Sequence, residues 1–174
     1  MPRLLLLRHG KAAWPDGMDD VERPLTKRGR EASRRMGRYL ADERLAPDLA
    51  LVSPARRAQE TWTFAKDPLG DVPMRSEPRI YEAPPDRLLT VVKGVEPDVG
   101  TLLVVGHNPG LQELLRLLLG NDERYAHGAL ITKYPTAGLA VVDLPVRAWH
   151  ELSPRSGRLL RFVTPKTLGL GEDE

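Results

Sequence analysis

The first two thirds of the chain contain three short, mainly apolar runs. They cover residues 4–7, 48–52 and 101–105, and each is followed by a polar residue or glycine. Short apolar runs of this kind are typical of strands that are covered on both faces of a sheet. Two later stretches, 138–144 and 158–164, are also predicted as strands, and their succession in the sequence favours a hairpin.

Helical patterns lie between these strands. Apolar residues recur every four positions from Ala32 to Leu40, and Thr26 ahead of them suits an N-cap. Ser53 and Pro54 fit an N-cap followed by a first helical residue. We therefore predict four helices, at about 27–43, 54–66, 86–95 and 111–119.

The order of these elements predicts the fold class. Apolar strands that alternate with helices favour an α/β fold, a three-layer α/β/α sandwich around a mostly parallel sheet. The proline-rich stretch 67–87 is expected to hold at most one short strand. We expect a single domain over residues 1–168, followed by a disordered acidic tail at 169–174.

The amino-acid composition excludes several classes of function. The chain has 174 residues and no cysteine, so it cannot form disulfides or thiolate metal sites, and it has no cysteine nucleophile. Lys and Arg total 26 against 24 Asp and Glu, a net charge of +2 that argues against a dedicated nucleic-acid or membrane binder. The apolar run at 4–7 is too short for a signal or membrane segment, so a cytoplasmic protein is expected.

Two histidines and two arginines are expected to converge at one edge of the sheet. Arg8 and His9 follow the first strand, Arg57 follows the second, and His107 follows the third. Ligands of open parallel sheets bind outside the carboxyl ends of the strands. Imidazoles and guanidinium groups without nearby acidic ligands suit an oxyanion better than a metal ion. The chain also lacks a P-loop and a strand-linked Gly-x-Gly-x-x-Gly, so nucleotide binding by those routes is unsupported.

Four motifs at these boundaries occur in the order of a known family. They are Leu-Arg-His-Gly at 7–10, Arg-Pro-Leu-Thr-Lys-Arg-Gly at 23–29, Ser-Pro-x-x-Arg-Ala-x-x-Thr at 53–61, and Val-Gly-His-Asn-Pro-Gly at 105–110. Together they resemble the histidine phosphatase superfamily, which has the phosphoglycerate-mutase-like fold, over roughly residues 3–143. The short chain and the last motif look most like the SixA-type phosphohistidine phosphatases.

The resemblance implies a role for each matching residue. His9 would attack phosphorus and carry a transient phosphoryl group, while Arg8, Arg57 and His107 would hold its oxygens. No metal and no organic cofactor are implied. Glu82 lies where larger relatives carry a carboxylate that protonates the leaving oxygen, so it is a candidate proton donor.

Arg23 and the two remaining histidines have other expected roles. Arg23 would either contact the phosphate region of the substrate or pair with Glu22 or with the acidic residues at 19 and 20. His127 and His150 are expected to be surface or packing residues.

The resemblance leaves the substrate class open. A phosphohistidine releases imidazole, whose conjugate acid has a pKa of about 6.5, whereas an alkoxide is far more basic and needs a general acid. A small site with a weak acid therefore favours phosphohistidine in a protein, such as a histidine-phosphotransfer domain. The alternatives are a phosphomonoesterase for a small phosphorylated metabolite and a phosphate-binding module without turnover.

Overall fold

The computed structural model describes residues 1–120 and 133–174. The strands are β1 (Arg3–Arg8), β2 (Leu49–Val52), β3 (Met74–Ser76), β4 (Thr101–Gly106), β5 (Leu139–Asp143) and β6 (Arg158–Val163). The α-helices of the described residues are α1 (Lys27–Asp42), α2 (Arg56–Ala65), α3 (Pro85–Lys93) and α4 (Gly110–Leu119). All six strands join one sheet in the order β3-β2-β4-β1-β5-β6.

The sheet is mostly parallel, as predicted. β3, β2, β4 and β1 pair in parallel, whereas β5 runs antiparallel to β1 and forms the expected antiparallel pair with β6. β1 and β4 are the two central strands, and Arg8 at the end of β1 is in register with Gly106 at the end of β4. The residues that follow these two strands are therefore brought side by side.

Each face of the sheet has its own hydrophobic core. Leu6 of β1 packs in a cluster that includes Leu114 of α4, whereas Leu5 packs in a second cluster with Met36 of α1 and Trp62 of α2. Successive side chains of a strand point to opposite faces, so a helical layer covers each side of β1. This arrangement confirms the three-layer α/β/α sandwich and explains why the strand is apolar without alternation.

The loop after β1 lies directly on the first turn of α1. Thr26 caps this helix, as predicted, by accepting a hydrogen bond from the backbone N–H of Gly29 at 3.0 Å. A Cβ atom on Gly10 would lie 2.7 Å from the carbonyl oxygen of Gly29, and one on Gly29 would lie 2.2 Å from that of Lys11. Both positions need glycine because two backbone segments touch there.

The start of α2 differs from the prediction. The helix begins at Arg56 rather than at Pro54, and its N-cap position is held by Ala55. The Ser53 hydroxyl lies 2.7 Å from Nε2 of His107 and accepts a weaker bond from the N–H of Ala55 at 3.3 Å. The hydroxyl that was expected to cap the helix is thus engaged with a histidine of a neighbouring strand end.

The final residues make contacts that composition alone did not anticipate. Glu174 forms an ion pair with Lys11 at 2.8 Å, and its backbone oxygen accepts a hydrogen bond from the N–H of Thr136 at 3.3 Å. Asp173 accepts a hydrogen bond from the N–H of Lys166 at 2.8 Å. The Gly and acidic residues of the tail therefore fold back against the loop that follows β1.

Two further predictions concern the remaining histidines and a membrane-spanning segment. His127 lies outside the described residues, whereas His150 is exposed, as expected for a surface residue. Among the helices at 1–120 and 133–174, none is both long enough and apolar enough to span a membrane.

Candidate active site

His9 and His107 emerge next to each other from the two central strands. Their ring centroids are 5.1 Å apart, with the ring planes inclined by 56°. The parallel register of β1 and β4 produces this proximity, since Arg8 and Gly106 are paired immediately before the two histidines. The predicted convergence of the two imidazoles is therefore present.

Arg57 lies between the two imidazoles. Its side chain comes from the first turn of α2 and is 8% exposed. Nε donates to Nε2 of His9 at 3.3 Å, and Nη2 lies 3.4 Å from Nδ1 of His107. One guanidinium group thus contacts both rings, and a phosphoryl group bound between the rings would meet its donors.

The contacts of His9 define its tautomer. Nδ1 lies 2.7 Å from the carbonyl oxygen of Gly10, which can only accept, so Nδ1 carries the proton. Nε2 faces a guanidinium donor and therefore presents a lone pair. Burial lowers the pKa of His9 to about 3, aided by the charges of His107, Arg57 and Arg8, although the Gly10 carbonyl opposes the shift. The ring is consequently neutral at physiological pH, as a nucleophile must be.

His107 has the opposite tautomer. Arg57 can only donate, so Nδ1 of His107 accepts and Nε2 donates to the hydroxyl of Ser53 at 2.7 Å. Burial, followed by the charge of Arg57, lowers the pKa of His107 to about 4. Ser53 therefore fixes the orientation of the second imidazole.

Arg8 reaches the site with one donor unused. Nη1 donates to the carbonyl oxygen of Tyr134 at 2.8 Å, while Nε is buried and has no hydrogen-bond partner among the described residues. Burial also lowers the pKa of Arg8. A buried guanidinium nitrogen without an acceptor is costly unless a ligand supplies one, and an oxyanion would do so.

Asp20 is a residue of the site that the sequence did not indicate. Its backbone oxygen accepts from Nη1 of Arg57 at 2.7 Å, and its carboxylate accepts from Nη2 at 3.0 Å. The hydroxyl of Tyr81 also donates to this carboxylate, and this bond is the main reason that the pKa of Asp20 falls to about 2. The same bond raises the pKa of Tyr81 to about 12. Asp20 and Tyr81 come from loops far apart in sequence, and the only available signal was the acidic pair at 19 and 20.

Arg23 forms the ion pair that was one of its two expected roles. Nη1 lies 3.1 Å from Oδ1 of Asp20, and Nε donates to the carbonyl oxygen of Ala13 at 2.9 Å. The guanidinium carbon also lies 3.3 Å from the ring centroid of Trp14, in a cation–π contact. These contacts tie Arg23 to its own loop and, through Asp20, to Arg57.

Glu82 lines a cleft that adjoins His107. The cleft has a volume of about 520 Å³ and is also lined by Arg57, Tyr81 and His107. Glu82 has a φ of 53°, in the left-handed region, and its exposed side chain makes no hydrogen bond or ion pair with the described residues. Its position in the cleft is compatible with the expected proton role.

Within residues 1–120 and 133–174, no group of three or more His, Asp or Glu side chains is arranged to hold a metal ion. The polar groups that meet at the strand ends are two guanidinium groups, two neutral imidazoles and one carboxylate. This set of groups is suited to binding and transferring an anion.

Known proteins resemble this chain in sequence and in fold. Residues 4–84 match the model of the histidine phosphatase superfamily (branch 1). A crystal structure from Agrobacterium tumefaciens, assigned to the phosphohistidine phosphatase SixA, is 31% identical, with a TM-score of 0.81 over 95% of this chain and 99% of that one. An uncharacterized protein of Mycobacterium tuberculosis is 34% identical over 163 residues, which are 92% of this chain and 100% of that protein.

The fold also extends to more distant enzymes. A mycobacterial glucosyl-3-phosphoglycerate phosphatase, 18% identical, has a TM-score of 0.67 over 91% of this chain and 97% of that one. This likeness at 18% identity shows the shared fold alone. The 31% identical SixA-type structure supports a phosphatase activity in general and leaves the substrate class unassigned. The family match, the 31% identical SixA-type structure and the sheet topology confirm the family that the four sequence motifs indicated: the chain belongs to the histidine phosphatase superfamily and resembles its SixA-type members.

Proposed function

We propose that the protein is a phosphatase that forms a covalent phosphohistidine on Nε2 of His9, and that its substrate is phosphohistidine in a protein. The observation that carries the proposal is the state of His9. Its Nδ1–H is held by the Gly10 carbonyl, and its unprotonated Nε2 lies beside Arg57 and the second histidine. A neutral imidazole with a cationic neighbour is suited to attack a phosphoryl group.

The first step transfers the phosphoryl group to His9. The lone pair of Nε2 forms a bond to phosphorus while the P–N bond of the substrate breaks, and its electron pair goes to the departing ring nitrogen. A substrate ring that holds a proton on its other nitrogen then leaves as neutral imidazole. His9 becomes a cationic ring, and its Nδ1–H remains hydrogen-bonded to the carbonyl of Gly10.

Arg8, Arg57 and His107 are proposed to hold the phosphoryl oxygens during transfer. Phosphoryl transfer depends mainly on positioning and on neutralising the equatorial oxygens. Nε of Arg8 is available for such an oxygen because it has no partner among the described residues. Arg57 would exchange its Asp20 carboxylate contact for a phosphoryl oxygen, while Arg23 positions Asp20 from the other side.

The second step returns the enzyme to its resting state. A water oxygen forms a bond to phosphorus, the P–Nε2 bond breaks, and its electron pair returns to His9. Dihydrogen phosphate leaves with both protons of the water. No metal or cofactor takes part in either step.

The preference for phosphohistidine rests on the acids near the site. The pKa of Asp20 is about 2, so this carboxylate is ionised and cannot donate a proton at neutral pH. A leaving imidazole needs little acid catalysis, whereas an alkoxide needs a general acid. The 31% identical relative assigned as a phosphohistidine phosphatase supports the same substrate.

A small phosphorylated metabolite is the second candidate substrate. The observation that favours it is the cleft of about 520 Å³, which contains Glu82 with no described partner. Such a carboxyl group would be the proton donor that an ester requires. A binding module without turnover is the third candidate, and activity measurements separate it from the first two.

One experiment tests the covalent intermediate. The protein is mixed with a ³²P-labelled phosphohistidine protein and quenched early, for wild type, for His9→Ala and for His150→Ala as a matched control with an exposed histidine. We expect an acid-labile label and turnover in wild type and in His150→Ala, and neither in His9→Ala. Unchanged phosphatase activity in His9→Ala would refute the assignment of the nucleophile.

A second experiment tests the substrate class. Values of kcat/KM are compared for a phosphorylated histidine-phosphotransfer domain and for a panel of sugar, nucleoside and glycerate phosphates. We expect the phosphohistidine protein to be turned over faster than every ester. Faster turnover of a small ester would transfer the proposal to the second candidate.

A further inference from the structure

One buried hydroxyl group links the peptide after His9 to the helix that carries Arg57. Thr61 of α2 is fully buried, and its Oγ1 accepts a hydrogen bond from the backbone N–H of Gly10 at 2.9 Å. The same hydroxyl donates to the carbonyl oxygen of Arg57, one helical turn earlier, at 2.7 Å. A hydroxyl group has a single proton, so its donation to Arg57 leaves a lone pair of Thr61 for the Gly10 N–H.

The peptide between His9 and Gly10 is held at both of its polar ends. Its N–H donates to Thr61, and its carbonyl oxygen accepts from the N–H of Ala137 at 2.9 Å. A peptide unit is planar, so these two bonds on opposite sides fix its orientation. Glycine restricts its own dihedral angles little, so these bonds to other segments set the direction of the next carbonyl, that of Gly10. This is the carbonyl that accepts from Nδ1 of His9 at 2.7 Å.

The other bond of Thr61 reaches the residue that faces the opposite side of the same ring. Nε of Arg57 donates to Nε2 of His9 at 3.3 Å. The two ring nitrogens therefore have partners, Gly10 and Arg57, whose backbones are both bonded to the Thr61 hydroxyl. One side chain thus joins the two segments whose positions determine which nitrogen of His9 carries the proton.

We propose that Thr61 is a positioning residue whose hydroxyl holds Gly10 and Arg57 in place around His9, and thereby keeps the proton on Nδ1 and the lone pair on Nε2. The inference rests on the proposed function, in which Nε2 is the nucleophile, and adds the residue that maintains its tautomer. Thr61 acts through backbone atoms and not through contact with the substrate.

The tautomer of His9 decides whether the ring can attack phosphorus. A neutral imidazole can carry its proton on either nitrogen, and the hydrogen bond of one nitrogen determines the state of the other. A proton on Nε2 would remove the lone pair that attacks and would direct an N–H at the guanidinium group of Arg57. Displacement of a reacting group by about 1 Å can also lower a rate on the order of 100-fold. Loss of the Thr61 hydroxyl should therefore affect the chemical step.

The chain offers a closely matched control for Thr61. Thr61→Val removes the hydroxyl at nearly constant shape, Thr61→Ala leaves space in its place, and Thr61→Ser keeps it. Thr63→Val is the control, because Thr63 lies on the same helix, is exposed, and also donates to the carbonyl oxygen four residues earlier, that of Gln59, at 3.0 Å. Each protein is measured for kcat and KM on a phosphohistidine protein, for Tm, and for the ¹⁵N chemical shifts of the His9 ring, which report the tautomer.

We expect Thr61→Val and Thr61→Ala to lower kcat about tenfold and to give the His9 ring a substantial Nε2–H population. KM should change less than about threefold, because the guanidinium groups proposed to hold the phosphoryl oxygens are retained. Thr61→Ser and Thr63→Val should keep the wild-type kcat and the Nδ1–H tautomer.

Two results would overturn the positioning role of Thr61. One is a wild-type tautomer in whichever of Thr61→Val and Thr61→Ala is folded, even if Tm is lowered. The other is a Thr61→Ser variant as slow as Thr61→Ala. Failure of wild type to form an acid-labile label on His9 would instead overturn the proposed function, while a changed tautomer in the Thr61 variants would still support control of the ring proton by this hydroxyl.

Discussion

The site combines groups from strand ends with groups from loops, and the two sets differ in burial. His9 and His107 follow the two central strands, and their positions are fixed by the register of β1 with β4. Asp20, Tyr81 and Glu82 come from loops, and the Asp20 side chain is 39% exposed. The strand set is desolvated, which holds the imidazoles neutral, whereas the loop set is more exposed and its Asp20 carboxylate is ionised. This difference suggests that the strand ends supply the chemistry and the loops adjust the substrate.

Among variants that keep the nucleophile, the largest effect should come from removing the guanidinium group of Arg57, which contacts both imidazoles. Arg57→Ala should lower kcat by about two to four orders of magnitude, as expected for the loss of a group that stabilises transition-state charge. The measurement is steady-state turnover of a phosphohistidine protein, with Arg56→Ala as the control because Arg56 is half-exposed and paired with Glu60. A loss below about fivefold would place Arg57 outside the reacting centre.

A smaller effect should come from the loop partner of Arg57. Asp20→Asn keeps the shape but removes the carboxylate charge, so the guanidinium loses one of its two orienting anchors. We expect kcat to fall about tenfold, with a smaller change in KM because Arg57 also gains freedom to bind the phosphoryl group. Asp19→Asn, next to it in the same loop, is the matched control. An equal loss in both variants would indicate a general disturbance of the loop.

The strand-end and loop groups should also affect the stability of the fold in different pH ranges. The folded-state pKa of His9 is about 3 against an ordinary value near 6.5, so the unfolded chain binds a proton more readily between these values. Stability should therefore fall as the pH drops from about 6.5 towards 3. Asp20 contributes stability above its ordinary pKa, and this contribution is lost as the pH falls towards about 2.

Thermal unfolding checks this difference. His9→Gln should flatten the rise of Tm between about pH 4 and 6.5, because the variant has no imidazole to protonate at that position. Asp20→Asn should leave this rise in place. It should lower Tm by a small, constant amount above about pH 4, because the carboxylate is well exposed, and the difference from wild type should shrink as the pH falls towards 2. Parallel Tm curves for wild type and His9→Gln would contradict the buried, neutral state of the ring.

Strands and helix starts could be predicted from the sequence because they depend on residues that are neighbours in the chain. The apolar runs predicted β1, β2 and β4, and the capping residue Thr26 predicted the start of α1. Strands that alternate with helices along the chain are parallel and share one carboxyl edge of the sheet. The convergence of His9 and His107 could therefore be predicted from this alternation.

Contacts between loops that are far apart in the chain could not be predicted from the sequence. Asp20 meets Arg57 and Tyr81 across 37 and 61 positions, and no periodic pattern reports such a contact. Ser53 was misassigned as a helix cap because its local context fits a cap, whereas its hydroxyl contacts His107. In both cases tertiary contacts decided what a polar side chain does.

The close contact between the loop after β1 and α1 has a consequence for transferring this site to another scaffold. Gly10 and Gly29 meet through their backbones, and a methyl group on Gly29 would collide with the carbonyl oxygen of Lys11. Such a collision would displace the peptide that carries the nucleophile while leaving every reactive side chain unchanged. A transplant consisting only of the reactive side chains would therefore lose their alignment, and the smallest portable unit includes the opening turn of the first helix.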